Sequence, residues 1–175
     1  MEITKKFKIT IEERNFNNYA LPPEDPLGEL TDFEFGWRRF CYDRDRRVLI
    51  EIGDLEFSVF FDPDICSLLE DNFPEQIRDL ERGKTLRIIF AESYNLNAIL
   101  TPMGNKINCQ LRKFGDFQEA SDLELHKEEV LTVLRGFLEE VMQLAVNAGY
   151  ISLEDKEKFI APAFPERTKL SIVNC

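Results

Sequence analysis

Between residues 122 and 148 the chain carries one long amphipathic pattern, and it constrains the fold more than any other feature. At 100° per residue, Val130, Leu131, Leu134, Phe137, Leu138, Val141, Leu144 and Ala145 share one half of a helical wheel, while Glu128, Thr132, Arg135, Glu139, Glu140 and Gln143 share the other. Ser121 and Glu124 have the spacing of a capping box, and Gly149 stands where a helix stops. The pattern predicts a helix over about Asp122–Ala148. Its apolar half has to be laid against something.

The rest of the sequence supplies a sheet for that purpose. Phe7, Ile9 and Ile11 alternate with Lys6, Lys8, Thr10 and Glu12, which predicts a strand over Lys5–Glu13. Residues 15–32 are dense in Asn, Pro and Gly and read as a long loop. Phe33, Phe35 and Trp37 alternate again, then Val48, Ile50 and Ile52 after a charged tip at Asp43–Arg47, then Phe57, Val59 and Phe61 after Gly53-Asp54. These runs predict three strands joined by short connections, with a tight II′ turn at Gly53. Asp62-Pro63 reads as a helix start, Pro74 as a break and Gly83 as a C-terminal cap. A second set of strands follows through Leu86–Phe90, Leu96–Leu100 and Ile107–Leu111, with a turn at Gly104-Asn105, and Ser152 with Asp155 caps a last short turn. The expected fold is therefore α+β: an antiparallel meander sheet of about six or seven strands, with a short helical insert and the long C-terminal helix packed on one face.

A length of 175 residues predicts a single domain spanning 1–175. A hydrophobic fraction of 43% and fifteen Phe are enough for a core, which argues against disorder. No apolar run approaches the roughly 20 residues needed to cross a bilayer, and the N-terminus alternates charge with apolar side chains instead of forming a signal sequence. Cys41, Cys66, Cys109 and Cys175 are widely spaced with no CxxC pair. They read as reduced thiols in a cytoplasmic protein.

Common catalytic kits are missing from the sequence. His126 is the only histidine, so multi-imidazole metal sites within one chain are excluded, and a Ser-His-Asp or Cys-His arrangement would have to use that residue. Signatures for phosphate loops, dinucleotide folds, nucleophile elbows and zinc proteases are all absent. No catalytic residue, metal ligand or cofactor is assigned. Glu51, Asp54 and Glu56 cluster at one predicted hairpin, and Asp62 and Asp64 flank Pro63; turn formation and capping account for both sets without chemistry.

Charge gives the remaining information. The formal net charge is −11, which repels phosphate backbones and anionic lipid and attracts a basic partner. An acidic segment, Glu24, Asp25, Glu29, Asp32 and Glu34, carries the apolar residues Leu21, Leu27 and Leu30 among its carboxylates, and the wet face of the long helix adds Glu128, Glu139 and Glu140. Apolar anchors in an acidic rim suit a surface that docks a basic protein. Arg38, Arg39, Arg44, Arg46 and Arg47 crowd into ten residues and read as a candidate anion grip. The first expectation is thus a non-catalytic binding or regulatory protein, immunity- or inhibitor-like, with a basic protein partner and no nucleic-acid or membrane ligand. Small acidic α+β proteins that neutralise basic toxins, such as bacterial immunity proteins, share this composition without a common motif. The alternative is a binding protein or enzyme for a small anion, with a pocket between sheet and helix lined by Phe, Trp37 and Tyr94.

Overall fold

The computed structural model describes residues 6–15, 22–113 and 120–166, apart from the side chains of 13–15, 120 and 121. Within these residues the order is β1 (Phe7–Asn15), α1 (Asp32–Asp43), β2 (Arg46–Ile52), β3 (Leu55–Phe60), a wide helical turn (Phe61–Ile65) continuing into α2 (Cys66–Glu70), α3 (Phe73–Glu81), β4 (Leu86–Phe90), β5 (Leu96–Met103), β6 (Lys106–Lys113), β7 (Ala120–His126), α4 (Lys127–Asn147) and α5 (Leu153–Ile160). The α+β class holds. The strands, however, form two antiparallel sheets, β1-β2-β3 and β4-β5-β6-β7, and not one meander. The 61–81 helical segment separates β3 from β4 in the chain, so that the two strands become edges of different sheets.

Two local expectations are overturned. Phe33, Phe35 and Trp37 lie on helix α1, not on a strand, because Thr31 and Glu34 form a capping box in which each side chain takes the other residue's backbone N–H. Once the helix is started, Trp37, Phe40 and Cys41 fall on its buried side. The second correction concerns residues 120–126. They form β7, with Leu123 opposite Cys109 and Leu125 opposite Ile107, so Ser121 and Glu124 belong to a strand and α4 begins at Lys127. Pairing with β6 satisfies these backbone groups in a ladder, which a helix start would have left open.

Other expectations hold in detail. Ile52 pairs with Leu55 across Gly53-Asp54, and Gly53 takes the positive φ of 61° that the first position of a II′ turn requires. Helix α3 ends in a Schellman motif: Gly83 N–H bonds Leu80 O and Lys84 N–H bonds Asp79 O. Helix α4 ends in the same way, with Gly149 bonded to Val146 and Tyr150 to Ala145. Ser152 caps α5 by accepting from the Asp155 N–H.

One continuous core joins both sheets and the helices. Into it α4 sends Val130, Leu131, Leu134, Phe137, Leu138, Val141, Met142 and Ala145, all buried. Burial of each large side chain stabilises the fold by roughly 1.5–3 kcal/mol relative to exposure. Helix α4 lies against β1 and β7 and against α3 and α5. Helix α1 is held by the residue that follows the α4 terminus: Tyr150 meets the Phe40 ring edge-on at 5.6 Å, and its hydroxyl donates to Asp43 at 3.0 Å.

Gly36 lies one turn before Phe40, and a Cβ there would overlap the Tyr150 carbonyl oxygen. Gly36→Ala should therefore lower stability by about 1–3 kcal/mol, since backbone must move to admit the methyl group. Gly136→Ala is the control, because a Cβ on that exposed position of α4 meets nothing within 4 Å. It should raise stability by about 0.5–1 kcal/mol through helix propensity. Denaturant midpoints of the two variants, moving in opposite directions, check both claims.

Candidate functional site

The acidic segment is shaped by backbone needs before any partner is considered. Asp25 accepts from the N–H groups of Glu29 and Leu30, closing a turn that Gly28 completes. Glu34 is committed to the capping box, and the hydrogen bonds from Thr31, backbone first and hydroxyl second, hold its carboxyl below the usual range. Asp32 stands in the first turn of α1, where the helix dipole favours a negative charge. Glu24, Glu29 and Asp32 are exposed, and between them Leu27 is 78% exposed. Leu30 is half-buried, while Leu21 lies outside the described residues.

This segment sits beside the C-terminal helices. Phe33 packs on Phe159 with ring centroids 5.0 Å apart, which fixes the start of α1 on α5, and α5 packs in turn on α4. Glu139 and Glu140 line a shallow groove with Gly136, Gln143, Leu144 and Lys156. Lys156 is buried there, donating to Gln143 Oε1 at 2.7 Å and pairing with Glu157 at 3.4 Å. Glu128 is exposed in the first turn of α4, eleven residues before Glu139 and thus about 16 Å away along the axis. The structure therefore puts Glu139 and Glu140, but not Glu128, on the helix half that neighbours α5.

The five arginines do not form one grip. Arg38 pairs with Glu70 through two hydrogen bonds of 2.6 and 3.3 Å, and Arg39 pairs with Asp43 at 3.2 Å. Arg44 caps the end of α1 and is exposed. Arg46 and Arg47 are successive residues of β2, so they leave opposite faces of the sheet, and Arg47 lies 4.7 Å above the Phe60 ring. Trp37 is 1% exposed and packs on Phe40, while Tyr94 stacks on Phe57 with centroids 4.6 Å apart. Both are packed against other rings.

Asp64 was legible in the sequence only as a flank of Pro63, and neither its burial nor that of Asp45 was signalled. Asp45 is buried and receives the Asp62 N–H at 3.3 Å; Asp64 is buried and receives the N–H groups of Glu92 and Ser93 at 3.3 and 2.8 Å. Ser93 Oγ in turn accepts from the Phe60 N–H at 2.8 Å, which ties the 91–94 turn to the end of β3. Burial pushes the Asp45 carboxyl up to about 6, the Asp62 carboxylate adds to the rise, and the Asp62 and Phe61 amides and Arg47 oppose it. Asp64 forms part of the wall of an adjacent cleft of about 310 Å³ between the 63–71 segment and β4. Neither this cleft nor the shallow groove is lined by the five arginines, Trp37 or Tyr94.

The remaining candidates are accounted for structurally. Cys41, Cys66 and Cys109 are buried free thiols. Burial, with the Cys66 thiol beside it, raises Cys41 well above its ordinary value, and burial pushes Cys109 up to about 12, so neither is poised as a thiolate. Cys175 lies outside the described residues. His126 is exposed at the junction of β7 and α4. Among the described residues no group of three or more His, Cys, Asp or Glu is placed to hold a metal, and no helix is long and apolar enough to cross a membrane.

No family model, no curated protein and no solved structure matches this chain.

Asp45 carries a pH dependence of definite sign. Its folded carboxyl binds a proton more tightly than the unfolded one, so the stability it contributes is complete below about pH 4 and is lost as the pH rises to about 6. Asp45→Asn keeps an acceptor for the Asp62 N–H without the charge. It should stabilise the protein above pH 7 by on the order of 2 kcal/mol and flatten the slope between pH 4 and 6. Urea titrations across that range check the outcome; an unchanged slope in the variant would show that Asp45 is not the titrating group.

Proposed function

We propose that this chain is a non-catalytic binding or regulatory protein, immunity- or inhibitor-like, whose partner is a basic protein. The contact is made by residues 24–34 and by the outer face of α4. The observation that carries the reading is Leu27, 78% exposed on a turn that Asp25 holds in shape, among the exposed carboxylates of Glu24, Glu29 and Asp32. An apolar side chain held out from a rigid turn can be buried by a partner at little cost in conformational entropy, while the surrounding charge speeds encounter. In the second half of α4 the exposed Glu140 extends the same sign, whereas Glu154 and Glu157 of the neighbouring α5 are paired with Lys158 and Lys156. Within this reading Glu128 stands apart from the patch and contributes only long-range attraction. An anion pocket built from the five arginines has less support, because two of them are paired with carboxylates and two leave opposite faces of a strand.

Affinity capture from the native host at low and at high ionic strength tests the proposal. A basic protein should be retained at low salt and released at high salt. The triple variant E24K/E29K/D32K should slow association by about tenfold or more while lowering stability only by the roughly 0.3–1 kcal/mol that loss of a carboxylate from the first turn of α1 carries, since all three side chains are exposed. Retention of an acidic partner, or equal capture by the triple variant, would remove the basis for it.

A further inference from the structure

Sheet edges expose unpaired backbone groups, and proteins usually blunt them with prolines, bulges, inward charges or a covering element. β1 has a register irregularity between Ile11 and Asn15, and the last N–H of β3 is taken by Ser93 Oγ. β4 carries neither device. It pairs with β5 in unbroken register from Leu86 to Phe90, contains no proline, and has no second strand partner among the described residues.

Its side chains alternate strictly. Leu86, Ile88 and Phe90 are buried, whereas Arg87 and Ile89 face outward, Ile89 at 49% exposure. Alongside runs the cleft of about 310 Å³, with Arg87, Ile89 and Ala91 of the β4 side on one wall and residues 63–71 and Gln76 on the other. That volume accepts a long side chain. Its charged lining consists of Asp64, Asp71 and Glu92 against the single Arg87, so the cleft favours a cation.

We infer that β4 is a docking edge for an extended, lysine-bearing segment of a protein partner, which adds as a further strand beside β4 and places a basic side chain in the cleft. Backbone hydrogen bonds to the free edge give affinity, Ile89 receives an apolar side chain, and the carboxylates select a cationic neighbour. The inference rests on the reading of this chain as a binder of basic proteins only for the kind of partner. The sign of the charge comes from the cleft itself.

The experiment uses the full chain labelled with ¹⁵N and two capped heptapeptides, KVKVKVK and EVEVEVE. The basic peptide should shift the amide resonances of residues 86–92 and slow exchange of the β4 amides, with affinity falling as salt is added. Ile89→Lys, at an exposed position that does not threaten folding, should weaken binding by about tenfold or more. The acidic peptide should produce no shifts. Equal response to both peptides, shifts confined to other edges, no shifts at all, or an unaffected Ile89→Lys variant would each overturn the inference. E24K/E29K/D32K separates the two proposals. If peptide binding survives in that variant, β4 acts independently of the acidic turn. If it is abolished there, the peptide was docking on the turn, and the β4 inference fails while the partner reading stands.

Discussion

Keeping the apolar half of α4 out of water is the constraint around which the molecule is arranged. A 21-residue helix of this composition is marginal by itself, and sheets of three and four strands need a covered face to be stable. Each part removes the other's exposed surface. The common core therefore contains inward residues of β1 through β7 together with eight side chains of α4, and no sheet has a separate core of its own. The long helix is also fixed in length at one end. Its Schellman terminus at Gly149 turns the chain so that Tyr150 reaches α1.

That turn links the core to the exposed acidic surface. Tyr150 touches α1 at Gly36, Phe40 and Asp43, three positions on one helical stripe, and Phe33 on the same helix reaches Phe159 of α5. The preceding loop is thereby tethered to a rigid support, with Asp25 and Thr31 organising its backbone. Carboxylates in this region thus do two kinds of work. Asp25 and Glu34 close turns and caps, and their neighbours Glu24, Glu29 and Asp32 remain on the surface with Leu27.

The Pro63 region shows a different use of acidic residues. Asp45 and Asp64 are buried because the 61–65 turn and the 91–94 turn present backbone N–H groups that lack ladder partners, and a carboxylate is a strong acceptor for them. Burial of the charge carries a cost, expressed as the raised carboxyl of Asp45. The benefit is geometric: this knot holds the 63–71 segment next to β4 and so forms the cleft beside that edge.

Periodicity alone determined much of the fold. It located α4 and its buried stripe, β1 through β6 in their alternation apart from the segment at residue 33, and the glycine stops at 53, 83, 104 and 149, because spacing and turn chemistry are local properties. It misread Phe33–Trp37 as a strand although Thr31 and Glu34 stood in capping-box spacing across its start, and it misread Ser121–Glu124 as a cap although Leu123 and Leu125 alternate. Short apolar runs satisfy both periods, and only the partner that covers them decides: Tyr150 and the α4–α5 turn for the first, β6 for the second. The net charge and the acidic segment were visible in composition. The pairing of Arg38 with Glu70 and the burial of Asp45 and Asp64 against backbone N–H groups depended on contacts between residues 17 to 32 positions apart, and pattern reading cannot see contacts at that range because they are set by packing and not by sequence neighbours.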